Sequence, residues 1–360
     1  MSYPLSARMS EILALTKAGR VADATALIQR GLNTVDDAAA AHGAPADLRR
    51  HKTALPPLIE IASARTTATN FRKPAESEGS FDRHSFGVSL GSLDYLLYVP
   101  ATITAPAPLV VMLHGCTQSA DDFARGTQMN ALADELGFIV AYPEQSRSAN
   151  AQKCWNWFRP GDQGKAAGEP AMIAAITREI AAKYPVEPDR IYVAGLSAGG
   201  AAAAIMASAF PDIYAAAGIH SGLACGSAQD LPSALAAMQG RGKRRRAAAS
   251  QAYVPLITFH GDRDGTVHPA NSDQIHAAWD KAPAMAGLER EVTEGTDGAG
   301  RAYRKTAMVD RDGRSMSESW LLKGAGHAWS GGSAAGSYTD EGGPDASREM
   351  MRFFVQHRRT

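Results

Sequence analysis

Short apolar runs recur along the chain after position 80, and polar or glycine-rich segments separate them. Three mostly apolar runs, Pro108–Leu113, Gly137–Tyr142 and Leu256–Phe259, are typical of strands buried on both faces of a sheet. Segments with helical spacing lie between such runs: Phe123–Leu136, Glu169–Lys183, Gly199–Phe210, Ala270–Trp279 and Ala346–Gln356. This alternation predicts an α/β protein with a mostly parallel sheet covered by helices on both faces.

Further strands complete the predicted sheet. They are Ser85–Leu90 and Leu93–Val99 as a hairpin, Arg190–Ala194, Tyr214–Ile219 and two strands within residues 302–322. Residues 1–75 read as an N-terminal helical arm and linker, so the main domain spans 80–358. Residues 223–252 interrupt the alternation and contain the basic run Arg241–Arg246, which predicts an insertion or partial lid.

Composition excludes several classes of function. The 360 residues are 45% hydrophobic and 21% charged with zero formal net charge, so we expect neither nucleic-acid nor membrane binding. Because no secretory signal is visible, we expect a cytoplasmic protein, with secretion as the alternative. The three cysteines, Cys116, Cys154 and Cys225, show no metal-ligand spacing, and we expect no metal and no cofactor.

The most specific motif is Gly195-Leu-Ser197-Ala-Gly199. It follows the predicted strand that ends at Ala194 and precedes an alanine-rich helix. This strand–turn–helix setting is that of a nucleophile elbow, in which a tight turn exposes the serine oxygen above the sheet. The motif therefore predicts Ser197 as a nucleophile.

A serine nucleophile requires a base and an acid, which follow it in the order acid, then histidine, in the α/β-hydrolase fold. His327 lies in a glycine-flanked loop after a predicted strand, whereas the competitors His268 and His276 lie in or beside a helix. The strand Leu256–Phe259 is followed by two carboxylates, and the spacing favours Asp264 as the acid over Asp262.

The oxyanion of an acyl-transfer intermediate needs two N–H donors. One is expected at Ala198, directly after the nucleophile. The other is expected at Cys116, because Gly115 allows the loop after Pro108–Leu113 to turn inward. Both are backbone donors.

Six segments together resemble the PHB depolymerase-type esterase family, which is similar to the carbohydrate esterases that release ferulate or acetate from xylan. The matching segments span residues 113–118, 150–158, 168–169, 195–200, 260–264 and 326–332. The resemblance implies a catalytic triad of Ser197, Asp264 and His327, with the Cys116 N–H in the oxyanion hole. It also implies that Trp155, Trp157 and Trp329 line a substrate groove and that Cys116 and Cys154 form a disulfide.

The resemblance implies an esterase acting on a small ester or oligoester, with short-chain 3-hydroxyalkanoate oligomers or polymer as the expected substrate. A feruloyl or acetylxylan esterase is the first alternative. A non-catalytic binding protein on a hydrolase fold is the second, although the intact set of Ser197, Asp264 and His327 speaks against it.

Overall fold

The chain divides into two compact units, Met1–Glu76 and Ser77–Thr360. The computed structural model describes residues 79–88, 91–103, 105–242, 254–279 and 285–359, all in the second unit. The predicted helical arm 1–75 and the 243–252 part of the predicted insertion lie outside the described residues. The described part of that insertion contains the helix Leu231–Met238.

A ten-stranded sheet forms the centre of the described unit. Its strands in chain order are β1 Ser80–Val88, β2 Gly91–Val99, β3 Ala107–Leu113, β4 Ile139–Glu144, β5 Val186–Leu196, β6 Ala216–His220, β7 Leu256–Gly261, β8 Glu289–Thr296, β9 Ala302–Val309 and β10 Ser315–Leu322. They lie in the order β1-β2-β4-β3-β5-β6-β7-β10-β9-β8. The strands from β4 through β10 in this order are parallel, whereas β1, β2, β9 and β8 pair antiparallel.

Helices cover both faces of this sheet. They are α1 Ala120–Thr127, α2 Met129–Leu136, α3 Gly168–Lys183, α4 Ala198–Ala209, α5 Leu231–Met238, α6 Ala270–Trp279 and α7 Ala346–Phe354. Every residue of β3 is buried, and alternate side chains enter two separate cores. One core contains side chains of α3 and α4, and the other contains those of α1, α2 and α7. The α/β-hydrolase fold is thereby confirmed.

One predicted helix differs from the structure, and one strand of the structure was not predicted. The single predicted helix Phe123–Leu136 is two helices, because Gln128 between them adopts a left-handed backbone with φ 54°. Strand β8 was not predicted, since seven of its eight residues are exposed and it has no apolar alternation. A two-residue pair, β11 Trp329–Ser330 and β12 Thr339–Asp340, forms a separate small sheet beyond β10.

No helix among the described residues is both long and apolar enough to cross a bilayer. Parallel strands bring their carboxyl ends to one edge of the sheet, where ligands bind in open α/β folds. The loops that follow β3, β5, β7 and β10 meet at this edge, and they carry the candidate residues.

Candidate active site

Ser197 lies at the junction between β5 and α4. Its backbone has φ 58° and ψ −118°, a conformation that non-glycine residues rarely adopt. The Ser197 N–H donates to His220 O at 2.9 Å, which ties the turn to the end of the neighbouring β6. The exposed fraction of Ser197 is intermediate, as an accessible nucleophile requires.

The two glycines of the motif allow this turn to pack against β3. A Cβ at Gly199 would lie 2.0 Å from Leu113 O, and a Cβ at Gly195 would lie 2.4 Å from the Gly199 carbonyl carbon. Neither space admits a side chain. The motif is therefore a steric requirement of a strand, a turn and a helix that meet at backbone distance.

Asp264 and His327 are brought together although 63 residues separate them. Asp264 follows β7, and His327 follows the neighbouring parallel strand β10. His327 Nδ1 lies 2.7 Å from Asp264 Oδ2. The other carboxylate oxygen accepts the backbone N–H groups of Thr266 at 2.9 Å and Val267 at 2.8 Å. An acceptor on the Nδ1 side leaves Nε2 of His327 available to take a proton.

Asp264 has a second histidine partner that sequence reasoning did not assign. His260 Nε2 lies 3.4 Å from Asp264 Oδ2 and 2.8 Å from Val267 O. Burial raises the pKa of the Asp264 carboxyl, but hydrogen bonds from His260 and His327 and attraction to both outweigh it, so the pKa lies well below its usual range. The carboxylate is therefore ionised at neutral pH. The His260-Gly-x-x-Asp264 spacing was the available signal.

His220 connects the Ser197 turn to the His327 loop. Its carbonyl holds the Ser197 N–H, and its Nε2 accepts the N–H of Ser330, three residues after His327, at 3.1 Å. Within the described residues, the hydrogen bonds pair His327 with Asp264 and include none from His327 to Ser197. Catalytic hydrogen bonds are often long in free enzymes and shorten when substrate binds.

The competing residues make other contacts. Asp262 Oδ1 accepts the N–H of Gly324 at 2.7 Å, which joins two loops. His268 Nδ1 accepts the N–H of Ala270 at 3.2 Å, at the start of α6. His276 Nε2 lies 2.9 Å from Thr258 Oγ1 in a part-buried contact. None of these contacts involves Ser197.

The loop after β3 passes close to Ser197. A Cβ built at Gly115 would lie 3.7 Å from Ser197 Cβ. Among the hydrogen bonds of the described residues, none uses the N–H of Cys116 or of Ala198 as donor. Two backbone donors are thus available beside Ser197. Cys116 also forms a disulfide with Cys154, which joins this loop to the segment after β4.

The prediction that tryptophans line a groove is corrected for Trp155 and Trp329. Trp155 and Trp329 are fully buried and Trp157 is 7% exposed. Trp155 Nε1 donates to His114 O at 3.0 Å, and Trp329 Nε1 donates to Ser347 Oγ at 3.1 Å. Their indole N–H groups find partners inside the protein, so these rings support the loops from beneath.

A buried carboxylate at Glu169 supports the disulfide loop. It accepts the Asn156 N–H at 2.7 Å and the side-chain amides of Asn156 and Gln145. Burial raises the pKa of Glu169 to about 7, against the hydrogen bonds from Asn156 and Gln145. Sequence reasoning noted Glu169 and Asn156 within the matching segments but assigned them no role.

His114 completes this support. Its Nδ1 lies 2.7 Å from Gly115 O, and its Nε2 accepts the Gln145 N–H at 3.0 Å. Burial lowers the pKa of His114 to about 4, so the ring is neutral and can accept at Nε2.

No cluster of three or more His, Cys, Asp or Glu side chains in the described part of the chain is placed to hold a metal ion.

Known proteins resemble this chain over most of the second unit. The pattern of the family described as Esterase PHB depolymerase matches residues 93–288. A poly(3-hydroxyalkanoate) depolymerase C from Paucimonas lemoignei is 32% identical over 256 residues, which cover 68% of this chain and 60% of that protein. The chain thus spans about three fifths of the length of that depolymerase.

Esterases of two other kinds are also similar. A feruloyl esterase B from Thermothelomyces thermophilus is 31% identical over 225 residues, which cover 58% of this chain and 76% of that protein. The structure of an acetyl xylan esterase from Aspergillus awamori covers 76% of this chain and 99% of its own, with a TM-score of 0.60 and 19% identity. That structural likeness supports the fold.

Proposed function

Because the chain belongs to the PHB depolymerase esterase family, we propose that it is a serine esterase that hydrolyses carboxylic esters through an acyl-enzyme intermediate. The observation that carries the proposal is the pair His327–Asp264, 2.7 Å apart, at the sheet edge that also presents Ser197 on a strained turn. A base with a fixed tautomer and a partly exposed hydroxyl at the same sheet edge are the groups that acyl transfer needs.

In the proposed reaction His327 Nε2 takes the proton of Ser197 as its oxygen attacks the ester carbonyl. The N–H groups of Cys116 and Ala198 donate to the oxyanion, and Asp264 stabilises the imidazolium. His327 then gives its proton to the leaving alcohol. The same imidazole activates a water molecule, which releases the acid and restores Ser197.

Ser197→Ala tests this mechanism. We expect the variant to lose hydrolysis of p-nitrophenyl butyrate by at least about 10³-fold, because the acyl-enzyme cannot form. Ser85→Ala on β1, which removes an exposed hydroxyl far from Ser197 in the sheet order, is the control and should retain full activity. Retained activity in Ser197→Ala would remove this residue from the mechanism.

We propose short-chain 3-hydroxyalkanoate oligomers or polymer as the substrate. The similarity to a poly(3-hydroxyalkanoate) depolymerase over 68% of the chain supports this choice. A feruloyl or acetylxylan esterase is the second candidate, favoured by 31% identity to a feruloyl esterase B. Comparison of kcat/KM for 3-hydroxybutyrate oligomers and for methyl ferulate decides between them.

The disulfide bears on where the protein works. Disulfides persist in oxidising compartments and are rare in the cytosol. The Cys116–Cys154 bond therefore favours the secreted alternative over the cytoplasm. Mass spectrometry of alkylated protein from fractions of its native cells tests this, since cytosolic protein should carry alkylated Cys116 and Cys154.

A further inference from the structure

Gln118 is a buried amide that contacts the turn Gly115–Thr117. We call this turn the oxyanion turn, because it carries the N–H of Cys116. The Gln118 side chain is 2% exposed. Oε1 accepts the N–H of Gly115 at 2.9 Å, and Nε2 donates to Asp122 Oδ2 at 2.9 Å and to Ser337 O at 2.9 Å. Both ends of the amide are therefore used, and each partner lies on a different segment of the chain.

Asp122 extends this connection to the segment that follows His327. Its Oδ2 also accepts Ser337 Oγ at 2.6 Å, and its Oδ1 accepts the Ser337 N–H at 3.0 Å. Burial raises the pKa of Asp122, but hydrogen bonds from Ser337 and Gln118 outweigh it, so the pKa is lowered and the carboxylate is ionised. Charge-assisted hydrogen bonds of this kind are the stronger ones.

Ser337 lies beside a residue that contacts the segment after His327. The neighbouring Tyr338 accepts the Trp329 N–H at 2.8 Å, two residues after His327. The backbone at Gly336 also packs against the backbone of α1, since a Cβ built at Gly336 would lie 2.5 Å from Gly126 N. A continuous set of hydrogen bonds thus runs from the turn at Gly115 to the segment 327–338.

We propose that Gln118 is a positioning residue that aims the Cys116 N–H and couples the oxyanion turn to the His327 segment. We call the series Gly115, Gln118, Asp122 and Ser337 the brace. The inference rests on the proposed function, because it assigns the Cys116 N–H to the oxyanion hole.

The turn needs such a brace for a conformational reason. Gly115 has no Cβ, so sterics alone do not choose its backbone angles. The next peptide carries the Cys116 N–H, and Thr117 after it has a left-handed φ of 67°. Preorganised donors stabilise an oxyanion because they need not reorient during the reaction. His114 Nδ1 contacts the carbonyl of Gly115, and the buried amide of Gln118 fixes its N–H, so Gln118 supplies part of this preorganisation.

Gln118→Ala is the first test. We expect kcat for p-nitrophenyl butyrate to fall by roughly 10- to 100-fold with KM nearly unchanged, somewhat less than the loss of a whole oxyanion donor. Asn271→Ala is the matched control. It removes a fully buried amide that donates to Ala237 O and His268 O and has no contact with the brace, and kcat should stay within about twofold of wild type. Equal kcat values in the two variants would overturn the proposal.

Gln118→Glu gives a readout that a general packing defect would not move. An ionised Glu keeps the acceptor for Gly115 N–H but opposes Asp122, whereas a protonated Glu restores the donor. The ratio of variant to wild-type kcat should therefore rise as pH falls from about 8 to about 5. A ratio independent of pH would contradict the brace.

Ser337→Ala serves if Gln118 variants do not fold, since it deletes only one hydroxyl of the brace. We expect a fall in kcat of about 3- to 10-fold without a change in KM, as the loss of one charge-assisted hydrogen bond allows. An unchanged kcat would count against the coupling. Failure of the proposed function is separate, because it would appear as activity retained in Ser197→Ala.

Discussion

Two buried carboxylates near the carboxyl edge of the sheet have opposite properties. Asp264 is 4% exposed and Glu169 is 7% exposed, and each accepts several hydrogen bonds. The pKa of Asp264 lies well below its usual range, whereas burial raises the pKa of Glu169 to about 7. Similar burial has thus produced an ionised group in one region and a partly protonated group in the other.

The difference lies in the partners. Asp264 faces His260 and His327, which can carry positive charge, whereas Glu169 faces the neutral amides of Gln145 and Asn156. The nearby Asp162 raises the pKa of Glu169 further. A carboxylate that must stabilise an imidazolium needs to stay ionised, so the Asp264 region suits catalysis. Neutral donors around Glu169 suit the support of a loop.

The largest expected effect concerns Asp264, the carboxylate that the comparison assigns to catalysis. Asp264→Asn should lower kcat by about 10³- to 10⁴-fold, because an amide does not hold the Nδ1–H tautomer or stabilise the imidazolium. Initial rates with p-nitrophenyl butyrate measure it. Asp262→Asn is the control, since the Asp262 side chain contacts Gly324 and Lys323, and it should stay within about tenfold of wild type. A similar loss in both variants would refute the assignment of Asp264.

The loop that Glu169 supports also contains the disulfide. If this region serves stability, removal of the disulfide should lower the free energy of unfolding. Cys116 and Cys154 are 38 residues apart, so their bond restricts the unfolded chain. Cys154→Ala should lower the free energy of unfolding by about 3–4 kcal/mol, measured by urea denaturation. Dithiothreitol should destabilise the wild type and leave Cys154→Ala unchanged. A wild type that is indifferent to reduction would disprove the structural role.

The smallest expected effect concerns the titration of Glu169. Because its pKa is raised from 4.5 to about 7, the folded protein binds more protons than the unfolded chain between these values. The free energy of unfolding should therefore fall as pH rises through this window, by up to about 3 kcal/mol. Glu169→Gln should lack this fall in urea denaturation at several pH values, while its kcat stays within about tenfold. Parallel pH profiles for both proteins would contradict the comparison.

Much of the candidate site followed from local sequence patterns. The spacing of Gly195, Ser197 and Gly199 between a strand and a helix predicted the nucleophile turn, because steric requirements act between near neighbours. Local patterns also indicated Asp264, which follows a buried strand, and His327, which lies in a glycine-flanked loop. The alternation of strands and helices predicted a mostly parallel sheet covered on both faces, and the structural likeness confirms the α/β-hydrolase fold.

Other features depended on segments far apart in the chain. Tryptophan in a glycine-rich loop gave no sign that Trp155 and Trp329 would be buried, since burial depends on how the loops fold over one another. The contact between His260 and Asp264 was also not predicted, although the His260-Gly-x-x-Asp264 spacing was visible in the sequence.

The sequence by itself determined the residue types and order of the candidate triad, because local backbone geometry requires particular residues at particular spacings. Only the tertiary structure decided which side chains surround Asp264, Glu169 and Gln118. Charge state and hydrogen bonding are set by neighbours in space, and those neighbours come from segments up to 219 residues apart.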